Sequence, residues 1–297
     1  MKRKFENNFT FYLLIIFSTG IFFLFSCKSK ELNYITYYNK VNKIDSIYRI
    51  AKEPEKAVKK YRKLFRKYSP KNQERIEEYE TYIRLADQCH KDFGGQKSLY
   101  KLIPLIAPYG NSYKQLYPLY KKYGIDSTIV NEKVSEWKKG LNKQLIDSFT
   151  VAMIRDQEGR PNDKTLVKKN IEKNANLFLW TFKNYGFPSS QKIARLGNND
   201  VFIAMPTLLS HMISSESYPT IKNKIFEYLK SGDFSPQDYS LVVDTFDDKK
   251  NTASRFRYRN NTQDSTKINK SRKSIGLPSL KHTDEIRKDF FKRIKKK

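Results

Sequence analysis

Leu141-Asn142-Lys143-Gln144-Leu145-Ile146-Asp147-Ser148-Phe149-Thr150-Val151-Ala152-Met153-Ile154-Arg155-Asp156 is the stretch that decides the fold. Leu141, Leu145, Phe149 and Met153 recur at every fourth position, the spacing of one helix face and not of a strand. The run predicts a long amphipathic helix ending near Gly159-Arg160-Pro161. Asp163 then caps a second long helix whose buried edge is Val167, Ile171, Ala175, Phe178 and Phe182. Tyr185-Gly186-Phe187-Pro188 stops it. Asp156 follows Met153 by three residues and Phe149 by seven, so it continues the apolar stripe. A carboxylate there needs a partner, because an unpaired buried charge is costly.

Outward toward the N-terminus the helices shorten. Asp126 or Ser127 caps one that runs through Val134 and Trp137 to Gly140. Before it come helices at Asp45–Ala51, at Pro54–Tyr68, over the stripe Ile76, Tyr79, Ile83, Ala86 and Cys89, at Leu99–Ile106 and at Tyr113–Tyr123. Pro54 takes the first helical position, where its missing N–H costs nothing. Toward the C-terminus, helices are expected at Asp200–Ile213 with a break or restart at Pro206, at Tyr218–Lys230 and at Pro236–Phe246. From Asp247 to Lys273 the chain turns polar and reads as a loop. No stretch alternates with period 2 for long.

The class is therefore all-α, an irregular helical bundle. In the N-terminal half, tetratricopeptide-like helical hairpins and an irregular bundle are equal alternatives. The expected organisation is a signal at 1–27, a tether at 28–45, an N-terminal helical region at 46–140, a C-terminal helical domain at 141–282 and a basic tail at 283–297. The tail is either solvated or touches anionic lipid.

Hydrophobic residues make up 38% and aromatics 14%, with 20 Tyr and 20 Phe, enough apolar mass for a substantial core. The net charge is +27, and removing Lys2, Arg3, Lys4 and Glu6 with the signal lowers it by only two. Such a field draws polyanions. An AT-rich genome, however, favours the same Lys, Asn, Ile, Tyr and Phe.

Met1-Lys2-Arg3-Lys4 followed by the mostly apolar run Phe9 to Phe25 has the order of a bacterial export signal. Leu24-Phe25-Ser26-Cys27 resembles the lipobox of a Gram-negative bacterial lipoprotein, with Phe25 as the departure. The resemblance implies a lipidated Cys27 and membrane attachment through it. An uncleaved inner-membrane signal anchor is the alternative. Lys28-Ser29-Lys30-Glu31 lacks both the Asp after Cys that resembles an inner-membrane retention signal and the acidic run of surface lipoproteins. The expected place is the cell envelope, on the periplasmic side of the outer membrane. Partners would be anionic envelope polymers or another envelope protein, and not nucleic acid. With Cys27 lipidated, Cys89 has no disulfide partner. His90, His211 and His282 show no metal-ligand spacing, and no cofactor motif is present.

Met153-Ile154-Arg155-Asp156-Gln157-x-x-Arg160, Asn170 and Asn184-Tyr185-Gly186-Phe187-Pro188 resemble an uncharacterised bacterial domain-of-unknown-function family with an Arg-Asp-Gln-x-x-Arg signature. Leu208-Leu209-Ser210-His211, Tyr239-x-Leu241-x-x-Asp244 and Asn269-x-x-Arg272-x-x-x-Gly276-Leu277 extend the resemblance over about 140–282. Asp244-Thr245 and Arg257-Tyr258-Arg259-Asn260 depart from it. The resemblance implies candidate residues and no reaction. One expectation is that Asp156, His211 and Asp244 meet in a cleft, with His211 as general base and Arg155, Arg160 and Arg272 reading an anionic group. The other is a buried Asp–Arg–His network that locks helices together.

Overall fold

The computed structural model of the protein describes residues 32–71, 76–250, 252–257 and 264–294. Cys27, the signal, residues 28–31 of the expected tether, Tyr258-Arg259-Asn260 and the last three residues lie outside that set. The described chain is 74% helical, with no strand or sheet, and an isolated bridge pairs Leu196 with Phe202.

The decisive stretch is helical from Lys143, so Leu141 precedes the helix and Met153 is half-buried beside its inner face. Its helix α7 (Lys143–Gln157) buries Leu145, Phe149, Ala152 and Asp156 along one face. Helix α8 (Lys164–Asn184) returns against it, burying Ile171, Ala175, Phe178 and Phe182. Side-chain caps start both: Asn142 accepts from the Leu145 N–H at 3.0 Å and Asp163 from the Leu166 N–H at 2.9 Å.

Upstream lie α1 (Tyr34–Arg49), α2 (Pro54–Phe65), α3 (Glu78–Gln88) and α4 (Gly95–Ile106), each packed on the next. A 3₁₀ stretch (Ala107–Leu116), broken at Gly110, leads to α5 (Tyr117–Lys122) and α6 (Ser127–Lys139), which Asp126 caps. Downstream are α9 (Ser190–Ile193), α10 (Met205–His211), a 3₁₀ turn (Met212–Ser214), α11 (Tyr218–Ser231), α12 (Pro236–Lys249), α13 (Ser265–Ser274) and α14 (Leu280–Ile294). Pro206, Pro219 and Pro236 stand in the first turns of α10, α11 and α12, where a missing N–H is harmless.

Four sequence expectations are corrected. The tether at 28–45 is helical from Tyr34, and Tyr34, Tyr37, Tyr38, Val41 and Ile44 are core residues. Tyrosine reads as only weakly apolar, so local pattern understates its burial. The boundary at 140 separates no two bodies: one buried cluster runs from Tyr34 to Ile286, and Asn33–Lys297 is one compact unit. The loop at 247–273 contains α13, whose inner face is little more than Ile268 and Arg272. The basic tail begins as α14, with His282 and Ile286 buried.

Helix α1 ties the chain's ends together through its two edges. Its aromatic edge joins Tyr34 and Tyr37 to Tyr68, with ring centroids 5.8 and 5.4 Å apart. Its polar edge reaches more than 200 residues along the chain. Asn39 and Asn42 donate to the carbonyls of Lys273 and Gly276 at 2.9 and 2.8 Å. Asp45 lies 2.7 Å from His282 Nε2, and Arg49 bridges Asp45 and Asp289. Gly232 and Gly276 make the close approach possible. Both have positive φ, and a Cβ on either would press into Tyr34 or Tyr38.

Candidate functional site

Asp156 ends the buried face of α7 with only 4% of its surface exposed. Local chain supplies its first partners. Arg160, four residues on, folds back so that Nε donates to the Asp156 carbonyl at 2.6 Å and a terminal nitrogen lies 3.3 Å from Oδ1. Gln157 donates to Oδ2 at 2.7 Å. The turn that permits this uses Gly159, at φ 78°, where a Cβ would come within 3.2 Å of Leu166.

The distant partner is His211, the last residue of α10, whose Nδ1 lies 2.7 Å from Asp156 Oδ2. An ionised carboxylate only accepts, so opposite it Nδ1 carries the proton and, in the neutral ring, Nε2 keeps its lone pair. The His211 side chain is 31% exposed. Of Asp156, His211 and Asp244, the structure brings the first two into contact, with Arg160 on the same carboxylate.

The remaining candidates lie elsewhere. Arg155 turns to α8, donating to Asn174 at 3.0 Å. Among the described residues, no hydrogen bond or ion pair joins Asp244 to Asp156 or His211. Asp244 Oδ1 instead accepts the backbone N–H groups of Arg255 and Phe256 at 2.9 and 3.1 Å, with Arg257 Nε 3.5 Å from Oδ2. Burial raises the Asp244 carboxyl above its ordinary pKa, a shift that the two N–H groups and Arg257 oppose. Arg272 is buried and donates to the carbonyls of Pro278 and Phe256 and to Thr283 Oγ1, at 2.6 to 2.7 Å. It fastens α13 to α14 and the 256 region, and it lines a cleft of about 680 Å³ together with Arg257 and Arg287. Of the six candidates, Asp156, Arg160 and His211 share one network, Asp244 and Arg272 meet at Phe256, and Arg155 bonds Asn174.

Sequence reading missed Asn174. Asn170 and Asn174 sit one turn apart, both buried on α8, and donate to the carbonyls of Arg155 and Ala152 at 3.0 and 3.2 Å. Two amides at i and i+4 beside an apolar stripe were the available signal.

Beside this cluster lies a cleft of about 600 Å³ lined by Arg160, Pro161, Lys164, Val167, Lys168, Ile171 and Ser214. Three cations and no carboxylate line it, over an apolar floor. A second cleft of about 660 Å³ shares Ser214 and carries Lys222, Lys249 and Lys250, with Glu216 as its acid. The arrangement can hold an anionic group at the rim and apolar surface beneath. Comparison with known protein families, with curated proteins and with solved structures finds no match.

Proposed function

We propose that this chain is an exported envelope protein, lipid-anchored at Cys27, that serves as a non-catalytic helical binding or scaffold protein. Its expected address is the periplasmic side of the outer membrane, and its partner an anionic envelope polymer or another envelope protein. One observation carries the scaffold part: both Asp156 oxygens are engaged within the chain, by Arg160, Gln157 and His211, in contacts that reach from α7 to α10. A carboxylate so engaged ties α7 to α10. The cationic clefts on either side of Ser214 support an anionic partner.

A second reading is a periplasmic hydrolase or transferase using Asp156, His211 and Asp244. The Asp156–His211 contact favours it, since a carboxylate on Nδ1 orients Nε2 as a base. Against it, Asp244 meets Arg272 at Phe256 instead, and no nucleophile motif accompanies the pair.

A double-mutant cycle separates the two readings. Asp156→Asn and His211→Gln are each expected to lower unfolding free energy by about 2 kcal/mol, with the double variant costing much less than the sum. Unchanged stability with loss of a hydrolytic or transfer activity would favour the enzyme.

A further inference from the structure

Helix α14 rests on the body by one edge. His282 and Ile286 are buried, and Asp289, one step further along that edge, pairs with Arg49 at 2.9 Å. At 3.6 residues per turn, Phe291 falls on the opposite side from His282. Phe290 and Phe291 are 49% and 53% exposed, with ring centroids 5.8 Å apart. Phe290, four residues after buried Ile286, stands on the flank of the packed edge, and two exposed, adjacent phenyl rings add little to the fold and need another explanation.

Their surroundings are cationic. Arg287, Lys288 and Lys292 are exposed beside them, and the sequence continues with Arg293, Lys295, Lys296 and Lys297. From Arg287 to Lys297 the single acid is Asp289, already held by Arg49. Asp284 and Glu285 pair with Arg287 and Lys288 one turn earlier, so the positive excess grows toward the end of the helix.

We infer that the outer face of α14 is a membrane-contact surface, seating Phe290 and Phe291 in the interfacial region of an anionic lipid layer while the flanking cations meet its phosphates. Phe291, Arg287 and Lys288 share the outer face, with Phe290 on one flank and Lys292 on the other, and aromatic rings beside basic residues are the chemistry of interfacial binding. The rings enter the headgroup boundary, and each nearby cation gains from the negative surface. The buried Asp45–His282 pair and the half-buried Arg49–Asp289 pair hold the helix so that this face is presented ready-formed. The surface is independent of the lipid at Cys27.

The test uses the chain from Lys28 onward, which contains the whole compact unit and lacks Cys27. It should sediment with vesicles of phosphatidylglycerol and phosphatidylcholine, and not with phosphatidylcholine alone. Phe290→Ser with Phe291→Ser should weaken binding about tenfold while leaving helical circular dichroism unchanged. Lys288→Gln with Lys292→Gln should also weaken it and flatten its salt dependence. Equal binding by the Phe variant would overturn the inference, as would failure of the parent chain to bind anionic vesicles. So would self-association of the parent chain that the Phe variant abolishes, which would make a second copy the occupant. Because the chain tested carries no lipid, none of these results bears on Cys27.

Discussion

A buried tyrosine hydroxyl stabilises the fold only where it finds a partner. Tyr37 donates to Glu78 at 2.8 Å inside the core, whereas the hydroxyls of Tyr61, Tyr120 and Tyr218 find no hydrogen-bond partner among the described residues. Tyr37→Phe is therefore expected to cost about 1–3 kcal/mol, by taking a donor from a buried carboxylate, while Tyr61→Phe should be neutral or stabilising by about 1 kcal/mol. Urea unfolding of the two variants checks both signs. At this scale the sequence was partly legible. Asp156 on the apolar stripe with Arg160 one turn on is a local pattern, and His211 followed from its place at the edge of an apolar face. The partners of Asp244 and Arg272 were not legible, because they are mostly backbone groups around Phe256 and Pro278, and backbone groups leave no mark in a sequence.

Helices with strong stripes and side-chain caps were readable one by one, as α2, α7, α8 and the Asp126 and Asp163 caps show. Asp163→Ala should remove the acceptor of the Leu166 N–H and cost about 1 kcal/mol in thermal or chemical unfolding. What local periodicity could not supply was the set of elements that owe their existence to distant partners. α13 has a polar sequence, and α1 is joined by Asn39 and Asn42 to Lys273 and Gly276 and by Asp45 and Arg49 to α14, across separations above 200 residues. Gly232, at the end of α11, marks another close approach to α1, with its missing Cβ pointing at the Tyr34 ring. Gly232→Ala is expected to lose about 1–3 kcal/mol through positive φ and overpacking, and the loss should shrink in a Tyr34→Ala background. An equal loss in both backgrounds would leave backbone strain alone as the cause.

Across the whole molecule, buried tyrosines tie stability to alkaline pH. Burial raises Tyr37, Tyr61, Tyr120 and Tyr218 above the ordinary tyrosine range, and a hydrogen bond to Asp87 pushes Tyr123 up to about 12. A pKa raised by folding means the fold holds its proton more tightly than the unfolded chain. That stabilisation is complete below about pH 10 and is lost as pH rises through the folded values. Tyrosinate absorbance should accordingly lag behind that of the unfolded chain above pH 10 and then rise together with alkaline unfolding. The same molecule carries +27, cationic clefts around Ser214 and a basic aromatic face on α14, all suited to an anionic envelope. Labelling cells with radioactive palmitate tests the proposed address most directly. The account predicts that the wild-type chain is labelled and sediments with membranes, and that Cys27→Ala abolishes the label. A Cys27→Ala chain that keeps its label would contradict it.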